Sequence, residues 1–323
     1  MTDDLATLAQ RFVQHKRNLA RKYHSEEAEV RLFVRFATAN SVLHLDQVTS
    51  ALLDDFLASR PRSRPRSFNH LLGAVRCFLD WLVVQDLLPA SPLKVQRRRV
   101  TAARLPFIFD TVQTRRLLTA AGALPDNSRA RQRGATYRTI FALCYGLGLR
   151  AGEACGLRLG DVDVDRDLLV VRGGKFGKSR LVPHGPNIAA LLAAQVERRR
   201  SAHPEAEDEA PLFTFDGRRR VHPGSASQTF HHLVTSLALA APDGVAPARM
   251  HSLRHSFAVG CLLRWYREGL DPASRLHHLS TFMGHVSPES TAVYLSVTAA
   301  LLQQANDRYE VFAQPAWSPV VAP

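Results

Sequence analysis

The chain has 323 residues, 46% hydrophobic and 22% charged, an ordinary globular composition with length for two domains that each bury a core. Arg and Asp break every apolar run before it reaches membrane-spanning length, and Met1 to Asp4 carries neither a basic nor an apolar leader region, so neither a membrane span nor an export signal is expected. A net charge of +13 points to a polyanionic partner, because neutralising phosphates releases counterions; a merely soluble basic protein is the competing reading.

The first hundred residues read as helices only. Leu5, Leu8, Phe12 and Leu19 follow helical spacing, as do Val30, Phe33 and Ala37, and then Leu52, Leu53 and Phe56, with Asp46 as N-cap of the third run. A fourth helix is expected over Ser67 to Gln85, stopping before Pro89 and Pro92. Residues 1–96 are therefore read as a compact helical bundle. Lys94 to Pro106 has no apolar periodicity and a run of positive charge, so 97–106 is read as a basic, extended linker.

A second domain, 107–312, opens near Phe107. Asp110 begins a capped helix, Gly122 to Gly134 is a polar loop, and Tyr137 to Gly148 is an apolar helix. Leu168 to Arg172 and Ser179 to Pro183 read as a short antiparallel β-hairpin around a basic turn, Gly174 to Lys178. Helical runs resume at Asn187 to Arg199, around His251 to Tyr266, and near the end, with an acidic surface loop at Ala202 to Ala210. After Thr298, a possible cap, Leu301, Ala305, Tyr309 and Phe312 make an apolar helical stripe; residues 313–323, with three prolines, read as a loose tail. Cys77, Cys144, Cys155 and Cys261 are scattered without a CxxC pair, which reads as buried, reduced thiols in a cytosolic protein.

The chemistry lies in three segments. The first runs from Tyr145 through Gly-Leu-Gly-Leu-Arg150 and Glu153 to Asp161; the second is His251-Ser-Leu-Arg254-His255; the third runs from Met283-Gly-His285 to Tyr294. Cleaving a phosphodiester without a metal requires neutralising two non-bridging oxygens in the transition state, and arginine suits this as a permanent charge with a planar donor fork. His251 and His255 have the i, i+4 spacing of a zinc pair, but Ser252 stands where zinc hydrolases carry a glutamate after the first histidine.

Together these segments resemble the tyrosine recombinases, or phage-integrase family. The resemblance covers about 107–312 through motifs and the N-terminal hundred residues through helical layout. It implies a mostly α protein: an N-terminal SAM-like core-binding bundle, then an α-rich catalytic domain with a small antiparallel β-sheet, the DNA breaking-rejoining fold. It further implies that Arg150 and Arg254 clamp the phosphate, that Glu153 supports the arginine region, and that His251 assists proton transfer while His255 orients its neighbours. His285 would hydrogen-bond a phosphate oxygen. Tyr294, nine positions after His285, would attack phosphorus. The general acid would sit on the hairpin turn, where Lys175 fits the family's Gly-Lys-Gly pattern best, although Phe176 replaces the following glycine and leaves Lys178 as the alternative.

The resemblance implies no cofactor, no metal and no ATP. The expected partner is double-stranded DNA with inverted-repeat core sites, bound by a homo-tetramer, or a hetero-tetramer with a related recombinase, on synapsed duplexes in the nucleoid. Because the chain opens directly on the bundle, it is placed nearer the simpler Xer-like or transposon-borne members. A type IB topoisomerase-like enzyme, a DNA-binding regulator without catalysis and a metallohydrolase are the rival readings.

Overall fold

A computed structural model of the chain describes residues 4–21, 23–100, 104–173, 179–284, 289–292, 294 and 303. It divides into two compact units, Met1–Ala103 and Arg104–Pro323.

The first unit is built from α1 (Leu5–Asn18), α2 (His24–Ala39), α3 (Ser50–Ala58) and α4 (Pro65–Val84). Each turns the apolar stripe read from the sequence inward, and Phe12, Phe33, Phe56 and Phe78 are wholly buried. Phe12 lies 5.4–5.5 Å from the rings of Tyr23, Phe78 and Trp81, so α1, α4 and the residue before α2 share one aromatic centre. Burying such side chains is worth about 1.5–3 kcal/mol each. Leu19 falls past the end of α1 and is exposed.

Two local expectations change. The cap of α3 is Thr49, whose hydroxyl accepts from the Leu52 amide at 3.2 Å, because Asp46 is already taken up in a 3-10 turn over Leu45–Gln47. The fourth helix starts two residues early, at Pro65, whose missing N–H costs nothing in the first turn. Cys77 is exposed on the outer face of α4, whereas Cys144, Cys155 and Cys261 are buried.

The basic segment after α4 is extended but not loose. The Asn69 side chain bonds Arg98 through both its backbone groups at 2.8 Å, Arg76 donates to the Val95 carbonyl, and the Arg98 guanidinium lies 3.8 Å over the Phe68 ring. On the far side of the boundary, Leu105 exchanges backbone hydrogen bonds with Gly244 and Ala246 of the second unit.

In the second unit Asp110 caps α5 (Thr111–Gly122), accepting from Gln113 at 2.7 Å. Helix α6 (Arg133–Gly146) has nine buried positions spread round its circumference, from Gly134 and Tyr137 to Cys144, which makes it the central element of the core. Next come α7 (Ala151–Cys155) and a three-stranded antiparallel sheet, β1 (Val162–Asp163), β2 (Leu168–Val171) and β3 (Arg180–Pro183), in that order. Register pairs Leu169 with Val182 and Val171 with Arg180. The chain continues through α8 (Pro186–Ala202), α9 (Pro223–Ser236), α10 (Met250–Arg267), α11 (Pro272–Met283) and the short α12 (Glu289–Ala292).

The fold is thus mostly α with a small antiparallel sheet, as expected. Helices α9 and α11 escaped the sequence reading; small and polar residues on their inward faces, such as Ala226, Thr229 and Ser280, interrupt the apolar stripe. No helix among the described residues is long and apolar enough to cross a membrane. The hairpin turn at 174–178, the expected terminal stripe from Thr298 to Phe312 and the tail at 313–323 lie outside the described residues, Gln303 apart.

Candidate active site

The site begins where α6 ends. Gly148 takes φ +61°, and a Cβ there would stand 2.5 Å from the Phe257 ring, so glycine is required both for the turn and for the approach of α10. The turn buries Leu149 and leaves Arg150 as the residue that opens α7. Its backbone N–H donates to Glu153 Oε2 at 2.9 Å and its guanidinium to Oε1 at 2.7 Å, which holds the arginine against the helix it begins.

A second fastening lies at the end of α11. The last carbonyls of a helix have no partner within it and carry its negative dipole end. Here three arginines from three distant segments satisfy them in succession: Arg180 Nε donates to the Phe282 carbonyl (2.9 Å), Arg254 Nη2 to Met283 (2.8 Å) and Arg150 Nη2 to Gly284 (3.0 Å). Gly284 is left-handed, at φ +66°, and a Cβ on it would lie 2.7 Å from Arg180 Nη1. Arg254 also donates through Nη1 to the Gly148 carbonyl, tying the end of α11 to the turn before Arg150.

Glu153 is the carboxylate at the centre of these cations. Arg180 grips it with both terminal nitrogens, at 3.1 and 3.0 Å, and Arg254 Nη1 lies 3.9 Å away. Burial pushes its carboxyl up, but the hydrogen bonds from Arg180 and Arg150 outweigh this and bring it from 4.5 down to about 2. Three guanidinium groups therefore share one carboxylate, and positive charge is left over. Arg254, only 1% exposed, is held down to about 10 by burial and by Arg150, and its Nε has no hydrogen-bond partner among the described residues.

Helix α10 supplies the imidazoles. His251 and Arg254 are three residues apart, and His251 and His255 stack edge to face with centroids 4.6 Å apart. The outer part of His251 reaches solvent, yet desolvation on its inner side, followed by the charges of Arg254 and Arg150, pushes its pKa down, so the ring is neutral at pH 7. Tyr294, 3% exposed, packs with Leu262, Leu279 and Met283. Its hydroxyl lies 2.7 Å from His255 Nδ1. Burial raises the phenol's pKa, while the fields of Arg254 and Arg150 reach it and pull the other way.

A model of the phage integrase family matches residues 110–300, more than half of the chain and every segment of this site. The chain belongs to the phage integrase family. This integrase-family chain is 35% identical to y4rB of Sinorhizobium fredii, a protein named for the integrase/recombinase class, over 93% of this chain and 95% of that one. It is also 32% identical to the tyrosine recombinase XerC of Myxococcus xanthus (85% and 86% covered) and 32% identical to the tyrosine recombinase XerA of Thermococcus kodakarensis (75% of each). In fold it is similar to the Tn1549 transposon integrase in complex with circular intermediate DNA (TM-score 0.64, 17% identity, 96% and 99% covered). A lambda integrase dimer bound to a core site is a second structural likeness (TM-score 0.63, 14% identity, 91% and 77% covered).

Of the residues singled out in the sequence, the structure of this family member brings Arg150, Glu153, His251, Arg254, His255 and Tyr294 into one cluster. Lys175, Lys178 and His285 lie outside the described residues. Arg180 is a member that the sequence reading missed. A signal was available: on β3 it shares a face with buried Val182, and a cation on the inward face of a strand demands a buried partner.

Glu153→Gln should test that partnership. It leaves Arg150 and Arg180 without their counter-charge, a change worth roughly 3–5 kcal/mol for a buried pair. Because the folded carboxyl is depressed, its contribution is full above pH 4.5 and fades as pH falls towards about 2. Urea unfolding should show a large difference from wild type at pH 7 that closes across this window; a difference independent of pH would remove the charge-based account.

Proposed function

We propose that the protein is a site-specific DNA recombinase that cleaves and rejoins duplexes through a 3′-phosphotyrosine on Tyr294. The observation that carries this reading is the uncompensated positive charge of Arg150, Arg180 and Arg254 around Glu153, beside a buried tyrosine hydroxyl. A buried guanidinium nitrogen without a partner among the described residues, Arg254 Nε, is a donor for which a phosphate oxygen is the fitting acceptor.

In this reading Arg150 and Arg254 hold the non-bridging oxygens, with His285 on one of them. Tyr294 displaces the 5′ oxygen and Lys175 protonates it. Glu153 keeps the two phosphate-facing arginines aligned, and His251 assists proton movement. The 5′ hydroxyl of a partner duplex then attacks the phosphotyrosine. The bond energy stays in the covalent intermediate, so neither ATP nor metal is used. The N-terminal bundle, followed by the basic segment around Arg98, grips the core site. Four copies act on two synapsed, inverted-repeat sites in the cytoplasm, in integration, excision or transposition. A topoisomerase that reseals the same strand shares the chemistry but would act as a monomer.

The test starts by recovering the bound core site from a pool of randomised duplexes. A nicked suicide version of that duplex should trap the wild-type protein as a covalent adduct on a denaturing gel, with EDTA present. Lys175→Ala should lose the adduct and regain it when the 5′ bridging oxygen is sulfur, which leaves without a proton. Rescue of Lys178→Ala instead would exchange the two lysines. An adduct that needs a divalent metal would overturn the mechanism.

A further inference from the structure

The hydroxyl of Tyr294 faces His255, the second histidine of the His251–His255 segment, and not the first. Nδ1 of His255 lies 2.7 Å from the hydroxyl oxygen, with the two rings 5.4 Å apart and tilted at 58°. That is the reach required of a general base on the proton it abstracts. We propose that His255 is the proton acceptor for the nucleophile: as Tyr294 attacks phosphorus, His255 Nδ1 takes the phenolic proton.

The inference rests on the phosphotyrosine reading above and adds the base that the step needs. The balance closes. The Tyr294 O–H bond breaks and its proton moves to His255; the Tyr294 O–P bond forms; the P–O5′ bond breaks, its electron pair leaving on O5′, which is protonated by the acid on that side. In the rejoining step the incoming 5′ hydroxyl gives its proton to the acid that protonated the first leaving oxygen, now deprotonated; the O5′–P bond forms, the Tyr294 O–P bond breaks, and His255 returns its proton to the departing phenolate.

The surroundings fit this division of labour. Tyr294 packs among Leu262, Leu279 and Met283, an apolar setting in which a free phenolate is disfavoured before attack begins. The proton must therefore leave during the attack, to a neighbour already in place. On the other side of His255 stands the His251 ring, edge to face at 4.6 Å, and its depressed pKa keeps it neutral, so that ring sets no positive charge against the imidazolium that forms. Glu153 does not compete for the role: its carboxylate is consumed by Arg150 and Arg180.

The nicked duplex and the sulfur-bridged duplex, used with the full-length protein, test this. His255→Ala should form adduct roughly 10²–10⁴-fold more slowly than wild type, the usual scale for loss of a general base. Sulfur in the leaving position should not rescue it, because the missing group acts on the nucleophile, whereas Lys175→Ala is rescued. Added imidazoles should restore part of the rate, more so as their basicity rises, which an unfolded variant could not show. His255→Asn keeps an acceptor oxygen near the position of Nδ1 but cannot take the proton, and should be as slow as His255→Ala. An adduct rate within threefold of wild type in either variant, absence of imidazole rescue, or rescue by the sulfur substrate would overturn the proposal. Adduct persisting in Tyr294→Phe would instead overturn the phosphotyrosine reading beneath it.

Discussion

Tyr294→Phe should abolish covalent attachment to the nicked core-site duplex while leaving affinity for that duplex within about twofold. The substitution removes one oxygen and keeps the ring that packs with Leu262, Leu279 and Met283, so the apolar cluster survives. What disappears is the nucleophile and its hydrogen bond to His255. Losing that one hydrogen bond costs about 0.5–1.5 kcal/mol while the apolar contacts remain, so thermal unfolding should move by no more than a few degrees. Loss of adduct with unchanged gel-shift affinity is the expected pair of results. Full adduct in the variant would transfer the role to another tyrosine, with Tyr309 the first to examine.

Arg254→Ala should slow adduct formation by 10²–10³-fold or more under saturating DNA, the scale seen when one transition-state donor is removed, about 3–4 kcal/mol. The effect should exceed that of a purely chemical loss, because the wild-type side chain also satisfies the carbonyls of Gly148 and Met283. Unfolding measurements beside the kinetics separate the two contributions. Arg254→Lys should recover little: an ammonium is a compact point of charge and lacks the planar fork whose Nη1 and Nη2 reach the two carbonyls while Nε is left for phosphate. Near-normal cleavage by Arg254→Lys would remove the arginine from the clamp.

Much of this arrangement could be read from the chain alone. Helices α1 to α4 announce themselves through Phe12, Phe33, Phe56 and their helically spaced neighbours. The grouping of Arg150, Glu153, His251, Arg254 and Tyr294 is what the resemblance of three short segments to the recombinases implies. Other parts depend on tertiary neighbours. Arg180 looks like one more cation in a strand until β3 is seen against α7 and the end of α11. The contact between His255 and Tyr294 spans 39 residues and arises only because α10 and the segment after α12 share one apolar cluster. Cys77 sits in an apolar-looking run yet faces outward, since a helix that buries nine side chains still has a solvent face. Asp46 lost its expected cap because Thr49 stands directly before α3.

The three arginines at the end of α11 carry a consequence for when the protein becomes competent. Their bonds to the carbonyls of 282, 283 and 284 join residues 102, 29 and 134 positions apart, and the tie from Arg254 to Gly148 spans 106. Chains emerge from the ribosome N-terminus first, at about 5–20 residues per second. Every guanidinium is therefore made before the α11 carbonyl that will hold it, and Tyr294 follows later still. A nascent chain that has passed Arg254 already carries the three guanidinium groups, with Glu153 and the Gly148 carbonyl to hold them, but lacks the three carbonyls at the end of α11 and the proposed nucleophile, Tyr294. On the phosphotyrosine reading such a chain would cling to DNA without cutting it, and strand cleavage would wait on synthesis of the last segment of the domain.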